Sequence, residues 1–206
     1  MSPRAVTVMI AGEGPNEIGR WARHPSYADE YAEIQGDGVI GARLERVADG
    51  VAQVTHGCML KDARKYRAGR HGDGEARTLA ALRLDAQERG IEVLVILRDQ
   101  DGDADRAKTL LAFHDEPGRG GHPGLVVGVP TRALEAWILA ALSARRTESM
   151  SSAALSEELE RRGIPEKDTE AYVGAIKAAE LHSIPTDAEQ LHAFLERLRD
   201  QVLRAA

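Results

Sequence analysis

Residues 93–103 read VLVILRDQDGD: five apolar residues, an arginine, then carboxylates at Asp99, Asp101 and Asp103. The apolar run, Val93 to Leu97, reads as a buried strand. The three carboxylates after it work against folding, because like charges at that spacing repel and resist leaving water. Something cationic must offset the repulsion.

On either side of this run, strands and helices alternate. Val6 to Ala11 is strand-like, and Pro15 suits the first turn of a helix, where its missing N–H costs nothing. The stretch RHPSYADEYAEIQGDG, residues 23–38, has no readable pattern. VIGARLERVADG places Ile40, Leu44 and Val47 on one helical face and stops at Gly50. VAQVTHG alternates as a short strand does. Gly74 to Glu88 is a helix with Leu79, Leu82 and Ala86 inward, ended by Gly90.

Beyond Asp103, a polar helix spans about Ala104 to Phe113, with Asp103 as its N-cap. A fourth strand, LVVGVP, precedes RALEAWILAAL, before which Thr131 sits as an N-cap. This alternation predicts an α/β fold with a small parallel sheet flanked by helices. Residues 1–145 form that domain, and residues 146–206 form a helical C-terminal extension packed on or beside it. The last helix is to open with a capping box, Thr186 and Glu189, and to bury Leu191, Phe194, Leu195, Leu198 and Val202.

The chain has 206 residues, 43% hydrophobic and 29% charged, as in an ordinary globular protein. No apolar run approaches the ~20 residues needed to cross a bilayer. The N-terminus lacks the pattern of a secretory signal, and a single cysteine, Cys58, suits a reducing cytoplasm. The formal net charge of −6 argues against a protein wrapped passively on nucleic acid, but not against an enzyme with one local basic patch and a metal ion.

In a parallel sheet, ligands bind at the carboxyl ends of the strands. Asp99 and Asp101 fall just past one such end. If the chain stays extended there, residues two apart point the same way and reach one ion. Glu13 follows the first strand between Gly12 and Gly14, with Glu17 in the next helical turn and Glu135 in the first turn after the fourth strand. Oxygen-only ligands favour Mg²⁺ or Mn²⁺ over zinc. All but Asp99 and Asp101 also have a plainer reading, since an exposed turn needs no second acid on the same side. Glu17 and Glu135 complement helix dipoles, Asp103 caps a helix, and Glu13 is a turn residue.

Three alternatives can be weighed on spacing. A calcium loop fails, because Ala104 stands where glycine is needed and Leu110 where glutamate is. A dinucleotide fingerprint at GEGPNE has Glu17 in place of its third glycine. The haloacid-dehalogenase-like phosphatase signature D-x-D-G-[TV] matches until Asp103, and would make Asp99 a nucleophile.

A glycine-flanked glutamate after strand one, followed by D-x-D after a later strand, resembles the TOPRIM fold of topoisomerases, primases and OLD-type nucleases. The matching residues are Glu13 in IAGEGPNE and Asp99 with Asp101 in ILRDQDGD, and the likeness covers roughly residues 5–142. E-G-x-x-E, D-x-D and the later VP…LEAW look most like a bacterial TOPRIM-like family of unknown function. One departure is Gly12, which stands where an apolar residue or valine is usual.

The resemblance implies a Mg²⁺- or Mn²⁺-dependent nuclease, or a related phosphodiester enzyme, serving bacterial defence or nucleic-acid processing. Asp99 and Asp101 would hold the ion, with Glu13 as general acid or base or as a further ligand. Glu17, Asp103 and Glu135 are additional acids of the same site. The basic run KDARKYRAGRHGDGEAR offers Lys61, Arg64, Lys65, Arg67 and Arg70 to nucleic acid, with a solvated charged helix as its plainer reading. A different class of function is a non-catalytic subunit that binds a protein partner in a larger complex.

Overall fold

The computed structural model describes residues 4–23, 31–48, 50–67, 74–114 and 123–206. The strands are β1 (Val6–Gly12), β2 (Arg20–Arg23), β3 (Tyr31–Gly36), β4 (Ala52–Met59), β5 (Val93–Leu97) and β6 (Gly124–Gly128). The helices are α1 (Pro15–Ile18), α2 (Val39–Ala48), α3 (Leu60–Arg67), α4 (Gly74–Glu88), α5 (Ala104–His114), α6 (Leu134–Ala141), α7 (Ser152–Arg161), α8 (Thr169–Ala178) and α9 (Glu189–Ala205).

The fold is α/β. Four strands form a parallel sheet in the order β4-β1-β5-β6. Strand β5 is central and buried along its whole length. Its side chains alternate between two apolar clusters, Val93, Val95 and Leu97 in one and Leu94 and Ile96 in the other. Cover on both faces is why its sequence is a continuous apolar run rather than an alternating one.

Helices α3, α4 and α5 supply Leu60, Leu79, Leu82 and Leu110 to the second cluster. The first cluster receives α2, α6, α7, α8 and α9, so the C-terminal helices share one core with the sheet. Phe194 of α9 packs on Trp137 of α6, with ring centroids 5.1 Å apart. Leu191, Phe194, Leu195, Leu198 and Val202 are all buried, which accounts for the apolar stripe of α9.

Three features differ from the sequence reading. The unreadable stretch holds β3, which pairs antiparallel with β2 at its N-terminal end. Thr131 does not cap α6, which starts after Ala133 with no side-chain cap. Its hydroxyl bonds Gln190 Oε1 instead, at 2.8 Å. The capping box of Thr186 and Glu189 is likewise absent, since α9 begins at Glu189 with Ala188 before it. Glu148, distant in sequence, accepts the Gln190 and Leu191 N–H groups at 3.3 and 3.1 Å. A carboxylate with two charge-assisted bonds at a helix N-terminus outranks a local hydroxyl.

Candidate functional site

The parallel register brings Gly12, Met59, Leu97 and Gly128 to one edge, where β1, β4, β5 and β6 end together. The acids gather just beyond it. Glu13 leaves β1 half-exposed, and Glu17 on α1 is buried. Glu17 Oε2 accepts the Gly14 N–H at 2.7 Å. A Cβ on residue 12 would fall 2.5 Å from Glu17 Cβ, so only glycine lets α1 fold back this tightly. Glu135 comes from the first turn of α6 and accepts the Tyr172 hydroxyl of α8 at 2.9 Å. That same hydroxyl oxygen accepts the Lys167 N–H at 2.9 Å. Thr169 Oγ1 meets Asn16 Oδ1 at 2.6 Å, a second tie between α8 and the edge.

After β5 the chain runs beside β6, with Arg98 N–H bonded to Gly128 O and Gln100 N–H to Pro130 O. It then turns. Asp101 and Gly102 have φ of 53° and 75°, and Asp103 N–H donates to Gln100 O at 2.9 Å. Two successive left-handed residues inside such a bond form a type I′ turn, for which Asp-Gly is a favoured pair. The extended arrangement expected for Asp99 and Asp101 therefore breaks at Asp101. Asp103 caps α5, accepting the Arg106 N–H at 3.0 Å.

Two arginines offset these acids. Arg98 Nη1 lies 3.2 Å from Glu13 Oε1, and its Nη2 lies 2.7 Å from Glu75 Oε1. Arg106 Nη1 donates to Asp101 Oδ2 at 2.8 Å and to the Asp99 carbonyl at 3.4 Å. Arg98, Arg106 and Glu75 were absent from the sequence reading. The only signal for them was the arginine that interrupts VLVILRDQDGD.

Asp99 stands apart from this pairing. Burial, then the charges of Glu13, Glu17, Glu135 and Asp101, push its carboxyl up to about 8. Burial also raises Glu13, opposed by Arg98. Glu17 is raised by burial against the pull of its backbone hydrogen bonds. A carboxyl half-buried among like charges is an uncommon setting, and such settings cluster at functional sites.

No family model, curated protein or solved structure matches this chain. The edge must therefore be read on its own chemistry. Among the described residues, no three Asp, Glu, His or Cys side chains stand ready to hold one metal ion together. The donor set nonetheless fits a hard divalent cation. It is all oxygen, drawn from the ends of β1, β5 and β6, and its charges meet at Asp99. Lys61 is exposed at the start of α3, just past β4 on the same edge. The side chains of Arg64, Lys65 and Arg67, and the whole of Arg70, lie outside the described residues. Among the described residues, no helix is long and apolar enough to cross a membrane.

Proposed function

We propose that this chain is a Mg²⁺- or Mn²⁺-dependent nuclease, or a related phosphodiester enzyme, of the TOPRIM kind. One observation carries the reading: Glu13, Glu17, Asp99, Asp101 and Glu135 gather just past the ends of β1, β5 and β6, with the other four charges bearing on a half-buried Asp99. Asp99 and Asp101 would hold the ion. When bound, the ion supplies charge neutralisation, a polarised phosphoryl oxygen and a more acidic attacking water.

Glu13 takes the proton. Its raised pKa, caused by burial, brings it closer to neutrality than an exposed glutamate, which suits a general base. Glu17 braces the turn that carries Glu13 through its bond to the Gly14 N–H. Nucleic acid is the substrate class, with Lys61 standing just past β4 on the same edge. Service in bacterial defence, a cytoplasmic setting and a protein partner belong to the same proposal, and rest on the TOPRIM resemblance and the single cysteine.

Cleavage of single- and double-stranded DNA and RNA, with and without Mg²⁺ or Mn²⁺, tests this directly. Glu13→Gln keeps size and hydrogen bonding but cannot accept a proton, so turnover should fall about a hundredfold or more while metal still binds. Full activity on a phosphate monoester in Glu13→Gln, with none in Asp99→Asn and a phosphoaspartate at Asp99, would replace this reading with a phosphatase of the haloacid-dehalogenase kind.

A further inference from the structure

Two guanidinium groups face the acids, and both reach one carboxylate oxygen. Arg98 Nη2 and Arg106 Nε lie 2.7 and 3.6 Å from Glu75 Oε1, with side chains only 13% and 21% exposed. Their other contacts diverge, Arg98 to Glu13 and Arg106 to Asp101. Like charges crowded onto one oxygen repel, and a fold needing only neutralisation would spread them out. The pairing also leaves donors over, since Arg98 Nε is buried with no hydrogen-bond partner among the described residues. Planar forks of this kind match phosphate oxygens.

We propose that Arg98 and Arg106 are the phosphate-contacting residues of this edge. Glu13 and Asp101 hold them until a divalent ion takes Asp101 and offsets the negative charge of the edge, and Glu75 then keeps both forks in place to meet a phosphodiester. The proposal rests on the metal-dependent reading and deepens it. It makes the arginines competitors of the cation for the negative charge of this edge, yet partners of the substrate. Removing one should therefore help the metal and harm the substrate. A merely structural network has no reason to move those two quantities in opposite directions.

Calorimetric titration of the full chain with Mn²⁺ reads the first quantity. Hydrolysis of bis(p-nitrophenyl) phosphate reads the second. Arg98→Gln should bind Mn²⁺ about three- to tenfold tighter than wild type, since one competing positive charge at the edge is gone. Its KM for the diester should rise, and kcat/KM should fall about tenfold or more. Arg106→Gln, on the first turn of α5, should behave alike and serves if Arg98→Gln does not fold. Glu75→Gln leaves both arginines to Glu13 and Asp101 alone, so it should weaken Mn²⁺ binding, the reverse of the arginine variants.

Mn²⁺ affinity that is unchanged or weaker in both arginine variants, with wild-type binding intact, overturns this proposal and leaves the metal-dependent reading standing. A wild type that binds no Mn²⁺ removes both.

Discussion

Strand β5 carries an acid at each end, and the two live in opposite surroundings. Glu92, just before the strand, accepts the Thr7 N–H at 2.9 Å and meets the Thr7 hydroxyl at 3.1 Å. Arg4 adds an ion pair at 3.2 Å. These donors, the Thr7 N–H foremost, hold its carboxyl below the ordinary range. Asp99, just past the other end, is raised to about 8 by burial and by four neighbouring acids. An acid that serves the fold collects donors. The one at the carboxyl edge of the sheet collects other acids, and folding alone gives no reason for that.

The largest effect should come from Asp99→Asn. Cleavage should fall at least about a hundredfold, with loss of any rise in melting temperature on adding Mg²⁺. The same variant, treated with EDTA, should melt several degrees above wild type at pH 8, because a buried repulsive charge is gone. An Asp99→Asn protein that keeps the Mg²⁺ shift would place the metal elsewhere and break the contrast with Glu92.

A pH series on EDTA-treated protein separates the two ends by sign. Below about pH 4, Asp99 is protonated whether folded or unfolded, so it costs nothing. Between there and about pH 8, the folded chain keeps a proton that the unfolded chain has lost, so stability declines as pH rises. Glu92 acts the other way. Its contribution is present above the ordinary glutamate pKa of 4.5 and is lost as pH falls through its lowered value. Melting temperatures from pH 3 to pH 9 should show both limbs, with the upper one missing in Asp99→Asn. Saturating Mg²⁺ should flatten that upper limb in wild type.

Glu92→Gln should cost only about 0.5–1 kcal/mol near pH 7, because solvent screens the site. That is a drop of about 1–4 °C by calorimetry, with cleavage unchanged. Smallest of all is Asp103→Asn. Asparagine caps a helix as well as aspartate does, so stability should stay within about 0.5 kcal/mol and activity should hold. A large activity loss in Asp103→Asn would move this residue from α5's cap into the site.

The sequence by itself determined the parallel sheet and the helices around it. Val93–Leu97 is apolar at every position because both faces of β5 are covered, and Gly74–Glu88 keeps a helical period because one face is. It also indicated that Glu13 and Asp99 leave their strands at one edge, a consequence of parallel order alone. Strand β3 was not readable, since YAEIQG is short and shows no regular alternation of apolar and polar residues.

Only the tertiary structure decided the caps of α6 and α9, where Gln190 and Glu148 arrive from distant positions and displace local hydroxyl bonds. It also decided the turn at Asp101, whose left-handed backbone sends that carboxylate to Arg106. The company of Asp99 was decided in the same way. A pKa depends on burial and on charges close in space, and Glu13, Glu17 and Glu135 are far from Asp99 in the chain.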